Sequence, residues 1–355
     1  KNQNRTGTCW CFSTLGFLES ELLRMGKGEY DLSEMFIVSK NYKDKAEKFV
    51  RLHGELNYAQ GGSFEDVLQA WKDYGIVPES VMNGLQYGED MHVHNELESA
   101  SRAYLDQIIK NPNRKLSTAW KKGFDGIIDA YLGTAPEKFT YNGKEYTPKS
   151  FAAELGINPD DYVSLTSYTH HPFYSEFAIE VQDNWRWATS YNLPIDELMQ
   201  VFENAINTGY TIAWGADVSE KGFTRNGIGV IPDIESMERS GSDQDRWLGL
   251  STSEKDAEIK KMMEKPCKEL EITQEMRQEA YDNYETTDDH GMQIYGIAKD
   301  QTGKKFYMIK NSWGTDNKYK GTWYISENFV KYKTMNIVVH KDALPQAIKD
   351  KLHIK

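Results

Sequence analysis

Three residues scattered along 355 positions have the types that thiol-based nucleophilic chemistry needs: Cys9, His290 and Asn311. Cys9 stands where an amphipathic segment begins. Phe12, Leu15, Leu18, Leu22 and Met25 recur at spacings of three and four and mark one helical face. A helix N-terminus carries unpaired N–H groups and the positive end of the dipole, both of which favour thiolate over thiol. A base must carry the proton, and His290 directly precedes the apolar run Met292–Ala298. Asn311-Ser312-Trp313-Gly314 closes the next strand-like run, Phe306–Lys310. An asparagine there can accept an imidazole N–H and fix the ring, and Trp313 can cover that bond from water. Nucleophile, base and orienter, remote in sequence and gathered by a fold, make the cysteine form of the catalytic triad.

The elements that must bring them together read as a helical front and a strand-rich back. Beyond the segment after Cys9, which Gly26 and Gly28 stop, a helix is expected from Ser63 to Tyr74. Its inward residues are Phe64, Val67, Leu68 and Trp71; Ser63 caps it, Gly75 ends it, and Gly61-Gly62 precede the cap. Residues 95–160 look mainly helical, with Leu97, Tyr104, Leu105, Ile108 and Ile109 in one pattern and Trp120, Phe124, Ile127, Ile128 and Tyr131 in another. Short alternating stretches follow at Tyr162–Tyr168, Phe177–Val181 and Tyr210–Val218, interrupted by a helix from Asp196 to Ile206. Helices are expected near Glu254–Glu264 and after Thr273, strands at Trp323–Ser326 and Met335–Val339, and a last helix at Leu344–Leu352. The pattern predicts an α+β enzyme of two lobes. The expected organisation is a helical lobe with the nucleophile (1–90), a helical insertion (91–160), a first part of a β-rich lobe (161–235), a polar helical insertion (236–285), the β-rich lobe with His and Asn (286–340), and a tail (341–355).

Gln3, six residues before Cys9, with Gly7 between them and Trp10-Cys11-Phe12-Ser13 after, resembles the active-site opening of papain-like cysteine peptidases. Asp289-His290-Gly291-Met292 and Asn311-Ser312-Trp313-Gly314 resemble the two later blocks in the expected order, and Leu32-Ser33-Glu34 and Gly61-Gly62 resemble landmarks of the helical lobe. The spacing departs: positions 9 and 290 are 281 residues apart, against about 130–150 in ordinary papains. An insertion of domain scale in a chain without a disulfide framework resembles the bleomycin hydrolase or aminopeptidase C branch. So do Asn283–Met292 and Trp214–Val218. The resemblance implies a papain-like two-lobed fold, with Cys9 as nucleophile, His290 as base then acid, and Asn311 as orienter. It also implies that the Gln3 amide, together with the Cys9 N–H, receives the oxyanion. Gly61 and Gly62, with Trp313, would line the substrate cleft, Gly62 pairing with extended substrate backbone. It implies peptide substrates, an acyl-enzyme thioester, no cofactor, no metal and a homohexamer. In that branch a C-terminal arm enters the cleft, and its terminal carboxylate holds the substrate amine. Here little sequence follows Val339: this tail is a shortened arm, or amine capture is done differently, or the cleft is open and endopeptidase cleavage is allowed. Aminopeptidase action on short peptides is the expectation, with an open-cleft endopeptidase and, separately, a non-catalytic binding homologue as the alternatives.

Composition bounds the rest. With 42 Lys+Arg against 54 Asp+Glu the net charge is −12, the wrong sign for a surface that neutralises phosphates, so nucleic acid is not an expected partner. No apolar run reaches the roughly 18–20 residues of a membrane span. Three cysteines cannot all pair. Cys11, two residues from Cys9, should point away from any cleft, and Cys267 reads as structural. His92-Val93-His94 and His170-His171 lack the neighbouring ligand set of a zinc site and read as packing or surface histidines. Compartment stays open between cytoplasmic and, if a leader was removed, exported.

Overall fold

The computed structural model describes residues 1–234 and 247–355. Helix α1, Cys9–Arg24, runs through the middle of the molecule. The sequence suggests one apolar face, but every residue from Trp10 to Leu18 is buried, because the helix is wedged between the other helices and the sheet. Against one side lie α2 (Glu34–Arg51) and α3 (Phe64–Tyr74). Sequence periodicity does not announce α2, since its buried face mixes Phe36, Ile37 and Phe49 with Ser39, Asn41 and Lys45. The Ser33 hydroxyl caps it by accepting the Phe36 N–H at 3.0 Å. In α3 the Asp66 carboxylate reaches back to the Ser63 N–H at 2.9 Å, closing a capping box.

Residues 95–155 add α4 (Asn95–Ile109), α5 (Ala119–Leu132) and α6 (Pro148–Leu155). Between the last two lies a hairpin absent from the sequence reading: β1 (Phe139–Tyr141) pairs antiparallel with β2 (Lys144–Tyr146). Its turn is Asn142-Gly143, both residues at positive φ, the strongest short hairpin signal there is.

The second lobe is a nine-stranded sheet in the order β4-β5-β3-β11-β6-β8-β9-β10-β7. The strands are β3 (Tyr162–Thr166), β4 (Glu176–Ala178), β5 (Thr189–Asn192), β6 (Ile212–Ala216), β7 (Ile228–Gly229), β8 (His290–Lys299), β9 (Lys305–Lys310), β10 (Thr322–Ser326) and β11 (Thr334–His340). Helix α7 (Ile195–Asn207) covers the core formed by Phe202, Trp214, Ile294, Tyr307 and Ile337. Helices α8 (Thr252–Met263) and α9 (Gln274–Asp282) stand where the sequence expects them, the hydroxyls of Ser251 and Thr273 capping each. The rest of the polar insertion expected over 236–285 lies in part outside the described residues. Helix α10 (Glu327–Lys333) leads into β11. The last helix, α11 (Gln346–Lys351), buries Ile348 and Leu352 in the β-lobe core, and Lys351 pairs with Glu197 of α7 at 2.6 Å. Among the described residues no helix is long and apolar enough to cross a membrane.

The site follows from this frame. Strand β8 starts against the first turn of α1, so the first residue of the strand meets the first residue of the helix. Only a residue without a side chain lets them come so close. A Cβ on Gly291 would lie 2.7 Å from Ser13 Oγ, 2.9 Å from the Phe64 ring and 3.4 Å from the Cys9 carbonyl oxygen.

Candidate active site

Cys9 is the first residue of α1, and its N-cap, Thr8, does not cap: the Thr8 hydroxyl is engaged with Thr6 Oγ1 at 2.6 Å. The first turn holds no acidic side chain, so no carboxylate occupies its N–H groups. Backbone N–H groups of Gly291 and Trp10 are aimed at the Cys9 sulfur and favour its charged form. Burial acts against them and is larger, with Asp288 and Asp183 adding to it, so the isolated thiol is pushed up to about 12. Hydroxyls reinforce the turn, Ser13 Oγ donating to the Cys9 carbonyl at 2.7 Å and Thr14 Oγ1 to the Trp10 carbonyl at 2.6 Å.

His290 opens β8 opposite Ala216 of β6. Its Nε2 lies 2.7 Å from Asn311 Oδ1. The Asn311 oxygen also accepts the Ser312 N–H at 2.7 Å, which fixes the amide orientation and makes Nε2 the protonated nitrogen. Nδ1 is then the free acceptor. The Trp313 ring stacks on the imidazole, centroids 4.6 Å apart and planes 25° from parallel, and Phe223 and Trp323 meet Trp313 edge-on. Burial holds His290 down to about 4, the Asn311 bond opposing it. The loop before His290 is tied down by Asp217, whose carboxylate accepts the Thr287 and Ser219 N–H groups at 2.8 Å each.

Gln3 is buried beside this pair. Its Oε1 accepts from Ser312 Oγ at 2.5 Å and its Nε2 donates to the Thr6 carbonyl at 2.7 Å, leaving the second amide N–H without an acceptor among the described residues. The Gln3 N–H is bonded to the Ser312 carbonyl at 2.9 Å, so the segments carrying Gln3 and Asn311 are stitched together. A cavity of about 170 Å³ opens over Cys9, His290, Gly61 and Gly62. Its far wall is apolar, with Phe64, Ile179, Val181 and Met335, and Asp183, Asp288 and Asn336 are polar members of the lining. Asp288 is pushed up to about 7 by burial and by the neighbouring charges of Asp183, Asp289 and Glu65. The fold thus brings Cys9, His290, Gly61 and Gly62 to one cleft between the lobes, with Asn311 and Trp313 grouped on His290 and Gln3 joined to them through Ser312; these three are not part of the cavity lining. A thiol at a helix start, a neutral imidazole with one free nitrogen to take its proton, and amide donors beside them can together attack and cleave a carbonyl compound.

The family model described as "Peptidase C1-like family" matches residues 37–240 and 266–355. The chain belongs to that family. The match starts beyond the Cys9 segment. The chain is 23% identical to aminopeptidase C of Streptococcus thermophilus, over 97% of its own length and 80% of the relative. It is 22% identical to aminopeptidase G of Lactobacillus delbrueckii subsp. lactis over 97% and 81%. Among solved structures, pepW from Lactobacillus rhamnosis superposes with a TM-score of 0.73 at 20% identity, covering 99% of this chain and 82% of that one. The fold is that of a papain-like cysteine peptidase, an α+β protein of two lobes.

Other chemistry-bearing residues of this C1-like peptidase stand apart from the cleft. Cys11 is fully buried, its Sγ directed at the Glu34 carbonyl 3.4 Å away. Cys267 is half-buried beside Lys304, whose Nζ donates to its carbonyl at 3.2 Å. His94 is buried under Tyr87 and burial holds it down to about 3, while His92 packs edge-on to Phe12. His170 and His171 acquire a partner the sequence did not reveal: Glu180 offers one oxygen to each Nε2, at 3.0 and 3.2 Å. Gln278 donates to His170 Nδ1 at 3.2 Å while its own oxygen accepts the Thr169 N–H at 2.6 Å. That pinned amide places the His170 proton on Nε2, where it serves Glu180 and leaves no lone pair for an ion.

Proposed function

We propose that the chain is a thiol-dependent aminopeptidase acting on short peptides, with Cys9 as nucleophile, His290 as base then acid, Asn311 as the residue that orients His290, and Gln3 as an oxyanion donor. The observation that carries the reading is the shared cleft: Cys9 at a helix N-terminus and an Asn311-fixed His290, both beside Gly62. In the first half-reaction the Cys9 proton passes to His290, and the sulfur forms a bond to the scissile carbonyl carbon. The oxygen becomes anionic and meets the Cys9 N–H, which as the first residue of a helix has no intrahelical acceptor, and the free Gln3 amide N–H. Collapse expels the amine, which takes the proton from His290, and leaves a thioester. Water, deprotonated by His290, then attacks the thioester, and the acid product and the Cys9 thiol are released.

Replacing Gln3 with alanine is expected to lower kcat by about 10²–10³-fold while KM changes little, because the lost donor acts on charge that develops after binding. Equal losses in binding and turnover would show instead that Gln3 only holds Ser312 in place.

The aminopeptidase assignment is supported by the relatives named for that activity. It is tested by comparing a fluorogenic amide bearing a free α-amine with its N-acetylated twin. Preference for the free amine is expected; preference for the acetylated form would refute it.

A further inference from the structure

The segment after β4 crosses from the β-rich lobe to the helical lobe and is clamped there. Trp185 Nε1 donates to Asp66 Oδ2 at 2.9 Å, and Arg186 donates to Asp66 Oδ1 and to Asp44 Oδ2, both at 2.7 Å. Asp66 is fully buried at the start of α3. Asn184 braces the same turn through the carbonyls of Ile179 and Ala188 at 3.2 and 3.0 Å. This fixture presents Asp183 over Gly61: a Cβ on Gly61 would fall on the Asp183 carboxylate. A peptide running extended along Gly62 therefore meets a carboxylate where its next residue would lie.

One oxygen of that carboxylate is spoken for and the other is not. Asn57 Nδ2 donates to Asp183 Oδ1 at 3.1 Å, and among the described residues no hydrogen-bond donor reaches Oδ2. The nearest cation, Lys45, spends its ammonium on the carbonyls of Ala59 and Gly61 at 2.9 and 2.5 Å. Asp183 lines the same cavity as Cys9 and His290, and its charge is felt at the Cys9 sulfur. A carboxylate so placed, desolvated on several sides and held by a clamp of hydrogen bonds, is prepared for a cation of fixed position.

We propose that Asp183 sets where a substrate must begin: its free oxygen pairs with the α-ammonium group of a short peptide whose backbone lies along Gly62, and its bulk excludes peptides that continue past that point. This rests on the aminopeptidase reading and assigns the residue that enforces it. A peptide with a blocked amine loses twice, leaving a carboxylate without its cation and pressing an acyl group against the Gly61 wall.

The test uses the full chain, with rates normalised to active sites titrated by a thiol-reactive epoxide. Single-residue and dipeptide fluorogenic amides are each assayed with free and with acetylated amine. In Asp183→Asn the Asn57 bond can be kept and the charge is gone. The ratio of kcat/KM for free over acetylated amine is expected to fall about tenfold or more, chiefly through KM of the free amine. Asp183→Ala also removes the wall and is expected to lower the ratio further by raising cleavage of acetylated peptides. Because both substrates compete for the same titrated sites, a partly unfolded variant does not move the ratio. A parent-like ratio in both variants overturns the role of Asp183 and leaves the aminopeptidase reading standing. A parent enzyme that prefers acetylated amines overturns that reading itself, before any variant is made.

Discussion

Cys9→Ala is expected to abolish peptide hydrolysis, by about 10⁴-fold or more, in a protein that folds as the parent does. The size follows from the chemistry, because no other group at the cleft can form the thioester. Ser13 Oγ, one turn along the helix, donates to the Cys9 carbonyl on the packed side, and the hydroxyls of the cavity lining, Ser63 and Ser190, cannot form a thioester. What survives in the variant is a helix N-terminus and an amide donor with nothing to stabilise, since no tetrahedral species forms. The fold should tolerate the change because Cys9 lines the cleft rather than the core. Cys11 supplies the contrast. It is sealed inside the helical lobe, so Cys11→Ala should cost stability, roughly 1–2 kcal/mol for a small buried side chain, while activity per titrated site persists. Turnover of a fluorogenic peptide and peptide mapping after epoxide labelling check both. Retained activity in Cys9→Ala, or a label on Cys11 or Cys267 with Cys9 untouched, would sink the assignment.

The blocks around Cys9, His290 and Asn311 were legible in the sequence because their chemistry is local. A helix start, a strand start and a strand end each carry one functional group, and each is visible within a few residues. The α+β division was legible for the same reason: periodicities of 3.6 and 2 are properties of short windows. What stayed hidden depends on distant pairs. Nothing in residues 179–190 announces that Trp185 and Arg186 seek Asp66, or that Asp183 will stand over Gly61, since those partners are more than a hundred residues away and on the other lobe. Glu180 was invisible as the partner of His170 and His171 because a β-turn and a strand fold it back between them. Helix α2 escaped because its buried face includes Lys45, whose ammonium is satisfied by carbonyls of the Ala59–Gly61 loop. A polar residue in a core position is unreadable until its partner is known. The Asn142-Gly143 turn is a different failure. Its signal was local and strong, and the helical character of the flanking stretches masked it.

His290→Ala should change not only the rate at Cys9 but the shape of its pH dependence. In the parent, burial holds the imidazole down to about 4, so from pH 8 to pH 5 it is neutral and its free Nδ1 can accept the thiol proton. As pH falls through about 4 the ring takes a proton from solvent and ceases to be a base. Reactivity of Cys9 toward iodoacetamide, a neutral reagent, should therefore lose no base above pH 5, the remaining step being a fall near pH 7 as Asp288 ionises beside the sulfur. Below about 4 it should drop tenfold per unit. Without His290 the thiol has only solvent to take its proton. Burial, with Asp288 and Asp183, holds that thiol well above its ordinary value in the parent and the variant alike, so little free thiolate forms at neutral pH and the thiol depends on a base to take its proton. Alkylation in His290→Ala should accordingly be slower at pH 7, by about tenfold or more, and should climb toward alkaline pH as free thiolate forms. Asn311→Ala separates positioning from basicity. The bond to Asn311 raises the imidazole pKa, so its loss should move the acid limb further down while lowering the plateau. A His290→Ala profile with the parent's rate and acid limb would mean that another group activates Cys9, and the pairing of helix start with strand start would lose its chemical meaning.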